Sequence, residues 1–235
     1  MRPFLCAAAG VWLMLAGQTV AQSAGSNAVL VELYTSQGCS SCPPADAALE
    51  DLASRDGVLA LAFHVDYWDY IGWKDTLADP ANTKRQRAYA AVAGARTIYT
   101  PQMIIGGMDH VVGARPAEVD ALVRAHAGHA AKVDMTLSRQ GGKLSVRAKA
   151  RTALPNGAIV QLVRYSPRET IAIGRGENAG RTIDYVNTVL DLKRVATWDG
   201  RSDLRLDVPA DGKGEFAVII QEPGPGPVLA AAALR

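Results

Sequence analysis

The amino-acid sequence predicts an α/β domain over residues 27–130 followed by a β-sandwich-like domain over residues 132–235. Two observations carry that reading. The first half alternates strand-length apolar runs with capped helical patterns in the order βαβαββα, an order that needs a mixed sheet covered by helices. From Lys132 onward the apolar period becomes two, and six or seven short runs follow between Gly, Pro and Asn turns, as in a two-sheet β protein. A third observation sets residues 1–21 apart. Arg2 supplies a positive start, Phe4 to Gly17 an apolar stretch, and Thr19-Val20-Ala21 the small residues of a cleavage site. The apolar run is shorter than the roughly 18–20 residues of a spanning helix, so the segment reads as a cleaved export signal rather than an anchor. The mature chain is then expected to be periplasmic or secreted and free of the membrane.

Each element has a local cause. Val29 to Tyr34 is an apolar run of strand length. It is followed by the turn Thr35 to Gly38, the segment Cys39-Ser40-Ser41-Cys42, and a helix opened by Pro43 and running to about Ala53. Val58 to Asp66 is a second buried strand. Asp79-Pro80 is an N-cap and first-turn pair for a helix that Gly94 stops. Thr100-Pro101 leads into a short strand over Gln102 to Ile105, Gly106-Gly107 turns it into a strand around His110 to Val112, and Pro116 starts a helix to about Ala127. In the second half the expected strands are Val133 to Ser138, Lys143 to Ala150, Ala158 to Arg164, Thr170 to Ile173, Leu190 to Thr197, Leu204 to Val208 and Phe216 to Gln221.

Composition excludes several classes of function. Hydrophobic residues make up 49% of the chain and charged residues 20%, with Lys+Arg 25 against Asp+Glu 23, so the chain is globular and carries no strongly basic surface for nucleic acid. The glycines Gly174, Gly176 and Gly180 follow no βαβ pattern and do not form a nucleotide loop. No cofactor is implied, and oligomeric state is left open.

Cysteine usage is the sharpest signal. Of the three cysteines Cys6 falls in the export signal, leaving only Cys39 and Cys42, spaced C-x-x-C. A bridge across two intervening residues restrains little unfolded chain, so the pair reads as chemical rather than structural. Near a helix start the macrodipole favours thiolate over thiol, which makes Cys39 the expected nucleophile and Cys42, one turn on, the thiol that resolves a mixed disulfide.

Other residues add candidates of unequal weight. His64 lies in an apolar strand, where a satisfied core histidine is the ordinary outcome; the alternative is a copper or zinc site built with the two thiolates, for which His110 is a poor further ligand. On balance no metal is expected. His126 and His129 fall on a terminal helix and read as solvated. The run Asp66-Tyr67-Trp68-Asp69-Tyr70 follows a strand end on the same rim as Cys39, placing Tyr67 and Trp68 as a substrate wall or, equally, as the anchor of a tight loop.

The strand Val-Glu-Leu-Tyr, Cys39-Ser40-Ser41-Cys42-Pro43 at a helix start and the later Thr100-Pro101 together resemble the thioredoxin fold. More closely, residues 32–46 (Glu-Leu-Tyr-Thr-Ser-Gln-Gly-Cys-Ser-Ser-Cys-Pro-Pro-Ala-Asp), Phe63 to Tyr70, Tyr99 to Gln102 and Arg175 to Arg181 resemble the secreted bacterial DUF1223 proteins of unknown function, over nearly all the mature chain. The resemblance implies a thioredoxin-like first domain and thiol–disulfide exchange with envelope proteins bearing thiols or disulfides. It also implies a cis-proline loop at Thr100 and Pro101 beside the reactive sulfur, and a buried acid for the resolving thiol's proton, which Glu32 matches if the loop to Cys39 holds one extra residue. Gly38 stands where a tryptophan commonly precedes the first cysteine, and Ser40-Ser41 belongs to neither the usual reductants nor the strong oxidants. A redox-silent binding module is the alternative.

Overall fold

A computed structural model describes residues 22–25, for their backbone, and residues 28–234; the export signal read at residues 1–21 lies outside the described residues. Strand β1 (Gln22–Gly25) precedes β2 (Val29–Thr35) and β3 (Val58–His64), which pair in parallel from Val29↔Val58 to Thr35↔His64. Every residue of β2 and β3 is buried, because both faces of this part of the sheet are covered. Helix α1 (Pro43–Ala53) connects them. Helix α2 (Pro80–Val92) begins where the Asp79 side chain accepts the Ala81 N–H, with Pro80 in the first turn. Strand β4 (Gln102–Ile105) runs antiparallel to β2. Gly106 and Gly107, both at positive φ, turn it into β5 (Asp109–Val112), and α3 (Pro116–Ala127) follows.

The second half holds β6 (Val133–Gln140), β7 (Lys143–Ala150), β8 (Ala158–Ala172), β9 (Thr182–Trp198), β10 (Leu204–Pro209), β11 (Glu215–Gln221) and β12 (Val228–Leu234). Three of these differ from the sequence expectation, β12 having no counterpart in it. Ala158 to Arg164 and Thr170 to Ile173 are one strand, β8, running through Pro167. The ladder to β9 omits Pro167 and Asn187 between the pairs Ser166↔Thr188 and Arg168↔Val186, so the missing proline N–H breaks no bond. Strand β9 likewise starts at Thr182, eight residues before the expected Leu190. The alanine run in β12 has no strand propensity of its own and is held by its neighbour β11.

The strands form two sheets. One has the order β1-β6-β7-β10, the other β12-β11-β8-β9-β3-β2-β4-β5, so strands from both halves of the sequence share a single large sheet. Their seam is the parallel pair Ala62↔Thr188, reinforced where Asn187, at φ 48°, donates its side-chain N–H to Ala60 O at 2.9 Å. One face of the large sheet carries α1 and α3 over Val31, Leu33, Ala60 and Met103. On the same side, the four-stranded sheet packs over β8, β11 and β12 through Leu137, Val146, Val160, Val218 and Ala232. The opposite face buries Leu30, Tyr34, Leu61, Phe63, Val163 and Ile219 with Tyr89 of α2. His126 is a correction to the sequence reading. Its side chain is only 8% exposed, its ring covers Gly106, and its Nε2–H donates to Asp109 Oδ2 at 2.7 Å, because α3 packs back on the β4–β5 turn.

On the α2 face a buried ion pair fastens the layers. Glu32 is fully buried and takes Arg85 Nε–H on Oε2 at 2.8 Å and Arg85 Nη2–H on Oε1 at 2.7 Å. The hydroxyls of Tyr34 and Tyr89 donate to the same carboxylate, and Arg85 reaches on to Gln161 of β8 and Gln221 of β11. Four elements are thus tied to one charge pair. Removing one member strands the other charge: Glu32→Ala is expected to cost about 3–5 kcal/mol of stability in denaturant unfolding, whereas Glu32→Met with Arg85→Met should recover part of the loss.

Candidate functional site

Cys39 and Cys42 form a disulfide, with Cα atoms 5.4 Å apart, at the turn between β2 and α1. The turn is built of short backbone bonds: Cys39 N–H donates to Ser36 O, Cys42 N–H to Cys39 O, and Ala45 and Asp46 N–H to Cys42 O. Cys42 is therefore the N-cap, and Cys39 lies a turn ahead of the helix rather than on its first residues. Pro43 and Pro44, which have no N–H, occupy the next two positions, so the helix start offers fewer free donors to a sulfur than a helix terminus ordinarily does. The polar contact made to Cys39 is instead Ser41 Oγ, 3.4 Å from its Sγ.

Both cysteines have no exposed surface. Their cover comes from two segments. In the first, Trp68 donates its indole N–H to Thr100 Oγ1 at 2.7 Å and lies with Ile71 against Gly38, where a Cβ would stand 3.2 Å from Trp68 Cβ. The unusual Gly38 is therefore explained by the close approach of Trp68. Tyr67 donates to Gln86 Oε1, and burial pushes its phenol up to about 12. Thr100–Pro101 is a cis peptide entering β4. Tyr67, Trp68 and Thr100 thus form one wall beside the cysteine turn.

The second segment comes from the far half of the chain. The connection between β8 and β9 brings Asn178 onto the turn, where its amide donates to Gln37 O and Cys39 O, both at 3.0 Å, while its Oδ1 accepts from Arg181. Glu177 accepts the Ser40 N–H at 3.3 Å, and Trp73 packs on Gly174 and Gly176 while donating to Gln37 Oε1. The segment Arg175 to Arg181 is the lid of the cysteine pair. Its long-range contacts left no local signal beyond clustered glycines and an asparagine.

The two buried acids near β2 sit on opposite faces. Glu32 shares its face with Tyr34 and α2, as described above. Thr35 and the helix α1 lie on the other, and there Thr35 Oγ1 donates to Asp46 Oδ1 at 2.8 Å. Asp46 is one turn beyond Cys42 on the same helix and is 5% exposed. Burial pushes its carboxyl up to about 7, against the lowering effects of His64 and the Thr35 hydroxyl. Sequence reasoning missed it because an acid in a first helical turn reads as a solvated partner of the dipole.

His64 is fully buried and its Nδ1 donates to Asp75 Oδ2 at 2.8 Å. Asp75 also accepts from Gln37 N and Leu77 N. Burial alone would raise its carboxyl, but His64 and the backbone donors outweigh it and hold the group below the usual range. The Tyr185 ring stands edge-on to His64 with centroids 4.7 Å apart. Among the described residues no set of three His, Cys, Asp or Glu side chains is arranged to hold a metal ion.

With this geometry in view, the chain can be set beside known proteins. Residues 30–221 match the model of a family described as protein of unknown function (DUF1223). A crystal structure of a protein from Agrobacterium tumefaciens is 34% identical, with a TM-score of 0.77 over 88% of this chain and 93% of that one. HBP35 of Porphyromonas gingivalis has a similar fold at 14% identity, with a TM-score of 0.64 over 88% of this chain and 74% of that one. No curated protein matches the chain.

Two outcomes are expected. Asn178→Ala removes two buried hydrogen bonds from the lid, each worth about 1 kcal/mol, and should speed reduction of the native disulfide by dithiothreitol about tenfold or more. Asp46 holds its proton in the folded protein to about pH 7 but loses it near 3.8 when unfolded. Stability should therefore fall as pH rises from about 4 to 7, by up to about 1.4 kcal/mol per unit, and Asp46→Asn should flatten that slope in unfolding curves. Asp75, shifted the other way, acts below this window, losing its contribution as acid protonates it.

Proposed function

We propose that this chain, which belongs to the DUF1223 family of proteins of unknown function, is a thiol–disulfide exchange protein working through Cys39 and Cys42 on proteins outside the cytosol. The observation that carries the reading is the disulfide at a helix start, made from the two cysteines that remain beyond the expected export signal, with an acid one turn behind it. Such a short bridge contributes little to holding the fold, and bridges of this kind persist in oxidising compartments. The cysteine turn at the start of α1 and the cis Thr100–Pro101 bond entering β4 support a thioredoxin-like reading, with Pro101 and Thr100 shaping the approach to the sulfurs and Tyr67 and Trp68 forming its wall. Glu32 serves the frame that holds β2, and the acid adjacent to the pair is Asp46.

In the exchange, a substrate thiolate attacks Cys39 Sγ, the bond to Cys42 Sγ breaks, and Cys42 leaves as a thiolate. A second substrate thiol then attacks the mixed disulfide, leaving a substrate disulfide and a reduced pair. Run in reverse, the same steps reduce a substrate. Ser41 Oγ, next to Cys39 Sγ, supplies a hydroxyl to stabilise negative charge there. Before either direction the Asn178 lid has to lift, because neither sulfur has exposed surface.

That burial favours a second reading, in which the pair is an inert bridge and the protein a redox-silent binding module. Equilibration of the native protein with glutathione buffers separates the two. The exchange reading expects a defined midpoint between the dithiol and disulfide forms. It also expects that Cys42→Ala accumulates mixed disulfides at Cys39 with envelope proteins while Cys39→Ala does not. A native bridge that resists a large excess of dithiothreitol and opens only on unfolding would establish the inert alternative.

A further inference from the structure

On the α2 face of the large sheet, lined by no residue of the cysteine turn, a cavity of about 360 Å³ opens where the two halves of the chain meet. That volume lies in the range of small-molecule sites. Helix α2 stands on one side and strands β8, β9 and β11 on the other, with Arg85 spanning the gap to Gln161 and Gln221. Phe63, Ala88, Ile159, Val189, Leu192 and Pro225 supply the apolar lining, and Leu190, 38% exposed, lies at the rim. The Arg85 guanidinium stands over the Phe63 ring, 5.7 Å from its centroid, so polar and apolar surface form one floor.

The polar part of that floor can be followed proton by proton. A guanidinium only donates, so the amide atoms of Gln161 and Gln221 that face Arg85 are their oxygens, which fixes both side chains. Arg85 gives Nε–H and one Nη2–H to Glu32, holds the other Nη2–H between Tyr89 Oη and Gln221 Oε1, and gives one Nη1–H to Gln161 Oε1 at 3.1 Å. Its second Nη1–H has no acceptor among the described residues. Gln221 is spent, since its amide donates to Tyr89 Oη and Gly226 O. Gln161 donates one amide proton to Gln221 Oε1 at 3.0 Å and keeps the other. Two neighbouring groups in the lining, Arg85 with 12% of its side chain exposed and Gln161 with 7% exposed, thus each hold one unused donor.

Charge narrows the ligand further. The charge of Arg85 is met by the fully buried Glu32 at 2.7 Å, and Asp79, Asp191 and Glu222 line the same cavity with Lys84 as the further cation. A carboxylate entering the cavity would be buried without a counter-charge, and an ammonium group would meet donors for which it has no acceptor. We propose that the cavity binds an uncharged acyl amide or ester, its carbonyl oxygen accepting from Arg85 Nη1 and Gln161 Nε2 and its aliphatic chain lying against Phe63, Val189 and Leu192. A carbonyl oxygen has a lone pair for each donor. The ligand bears on the residue that ties α2 to β8 and β11, so binding stabilises the junction of the two halves. Neither sulfur takes part, and the site stands whether or not the cysteine pair exchanges.

The test uses the folded protein and three probes with matched aliphatic chains and different heads: octanamide, octanoate and octylamine. Each is titrated by calorimetry near neutral pH, with the thermal unfolding midpoint read in parallel. Octanamide is expected to bind and to raise the midpoint with its concentration, while octanoate and octylamine bind at least about tenfold more weakly, because each buries a charge without a partner. Ala88→Trp fills the cavity from α2 without touching the bonds of Arg85, and should abolish octanamide binding in a folded protein. Gln161→Leu removes one of the two donors and should weaken octanamide about fivefold; if that variant does not fold, the comparison of heads on the wild-type protein decides. The site is overturned if the wild-type protein does not bind octanamide, or if Ala88→Trp binds it equally well. The carbonyl assignment is overturned if octanoate or octylamine matches octanamide, or if folded Gln161→Leu keeps the wild-type affinity.

Discussion

The site depends on a narrow seam. Strands β3 and β9 meet at one register pair, Ala62↔Thr188, with the Asn187 side chain substituting for a further ladder bond to Ala60. Because of that junction the large sheet does not end at β3, and the connection from β8 to β9 is carried back to the rim where β2 delivers the cysteine turn. Asn178 then reaches residues 37 and 39, far away in sequence, and Tyr185 arrives edge-on to His64. A chain with the same first half and a detached second half would lack the Asn178 hydrogen bonds to the cysteine turn and the Tyr185 contact with His64. The second half is therefore part of the site.

Two buried charge systems flank β2, and they are built differently. On the α2 face, Glu32 has Arg85 and two tyrosine hydroxyls, so its charge is compensated and its surroundings are rigid. On the α1 face, Asp46 has one hydroxyl from Thr35 and a bare second oxygen, while the nearby His64 is turned toward Asp75. A fold gains nothing by burying a carboxyl that has to give up a favourable charge, and such groups concentrate where proton transfer is needed. The compensated acid ties β2 to α2; the uncompensated one keeps a single hydroxyl partner. The two lie on opposite sides of a single strand, and a shift of one position along β2 would turn Glu32 to the α1 face and take Thr35 away from Asp46.

Much of the first half was legible because its signals are local. Pro43, Asp79-Pro80 and Pro116 open helices where their fixed geometry predicts, and the apolar runs at 29–34 and 58–64 are strands because they are buried on both faces. The cysteine pair stood out by spacing alone. The rest required tertiary contacts. Pro167 reads as a strand break, yet it lies opposite the irregular Asn187, where no bond is lost. Ala230 to Ala233 has no preference for strand until β11 pairs with it, and His126 looks solvated until the β4–β5 turn is seen beneath its ring. Asp46 was invisible for the opposite reason: its position in the first turn of α1 agrees with helix electrostatics, and only the packing of Thr35, His64 and Tyr185 above it makes it unusual.

Under the exchange reading the cover over the disulfide has to lift. It is a short connection rich in glycine, joined to the cysteine turn by hydrogen bonds of Asn178 and Glu177 and packed through Gly174, Gly176 and Ile173 on Trp73. Hydrogen bonds of this kind contribute about 1 kcal/mol each on balance, so opening a few of them costs far less than unfolding a sheet, and local opening is drawn from segments of this sort. Beneath the lid, by contrast, the cysteine turn is anchored to β2, α1 and Asp75. The rigid part carries the sulfurs, and the connection laid over them carries the access. A partner that displaced Asn178 would find the Gln37 and Cys39 carbonyls left without their donor, and an extended backbone N–H is the group that replaces an amide donor there. Recognition and exposure of the sulfurs would then be one event.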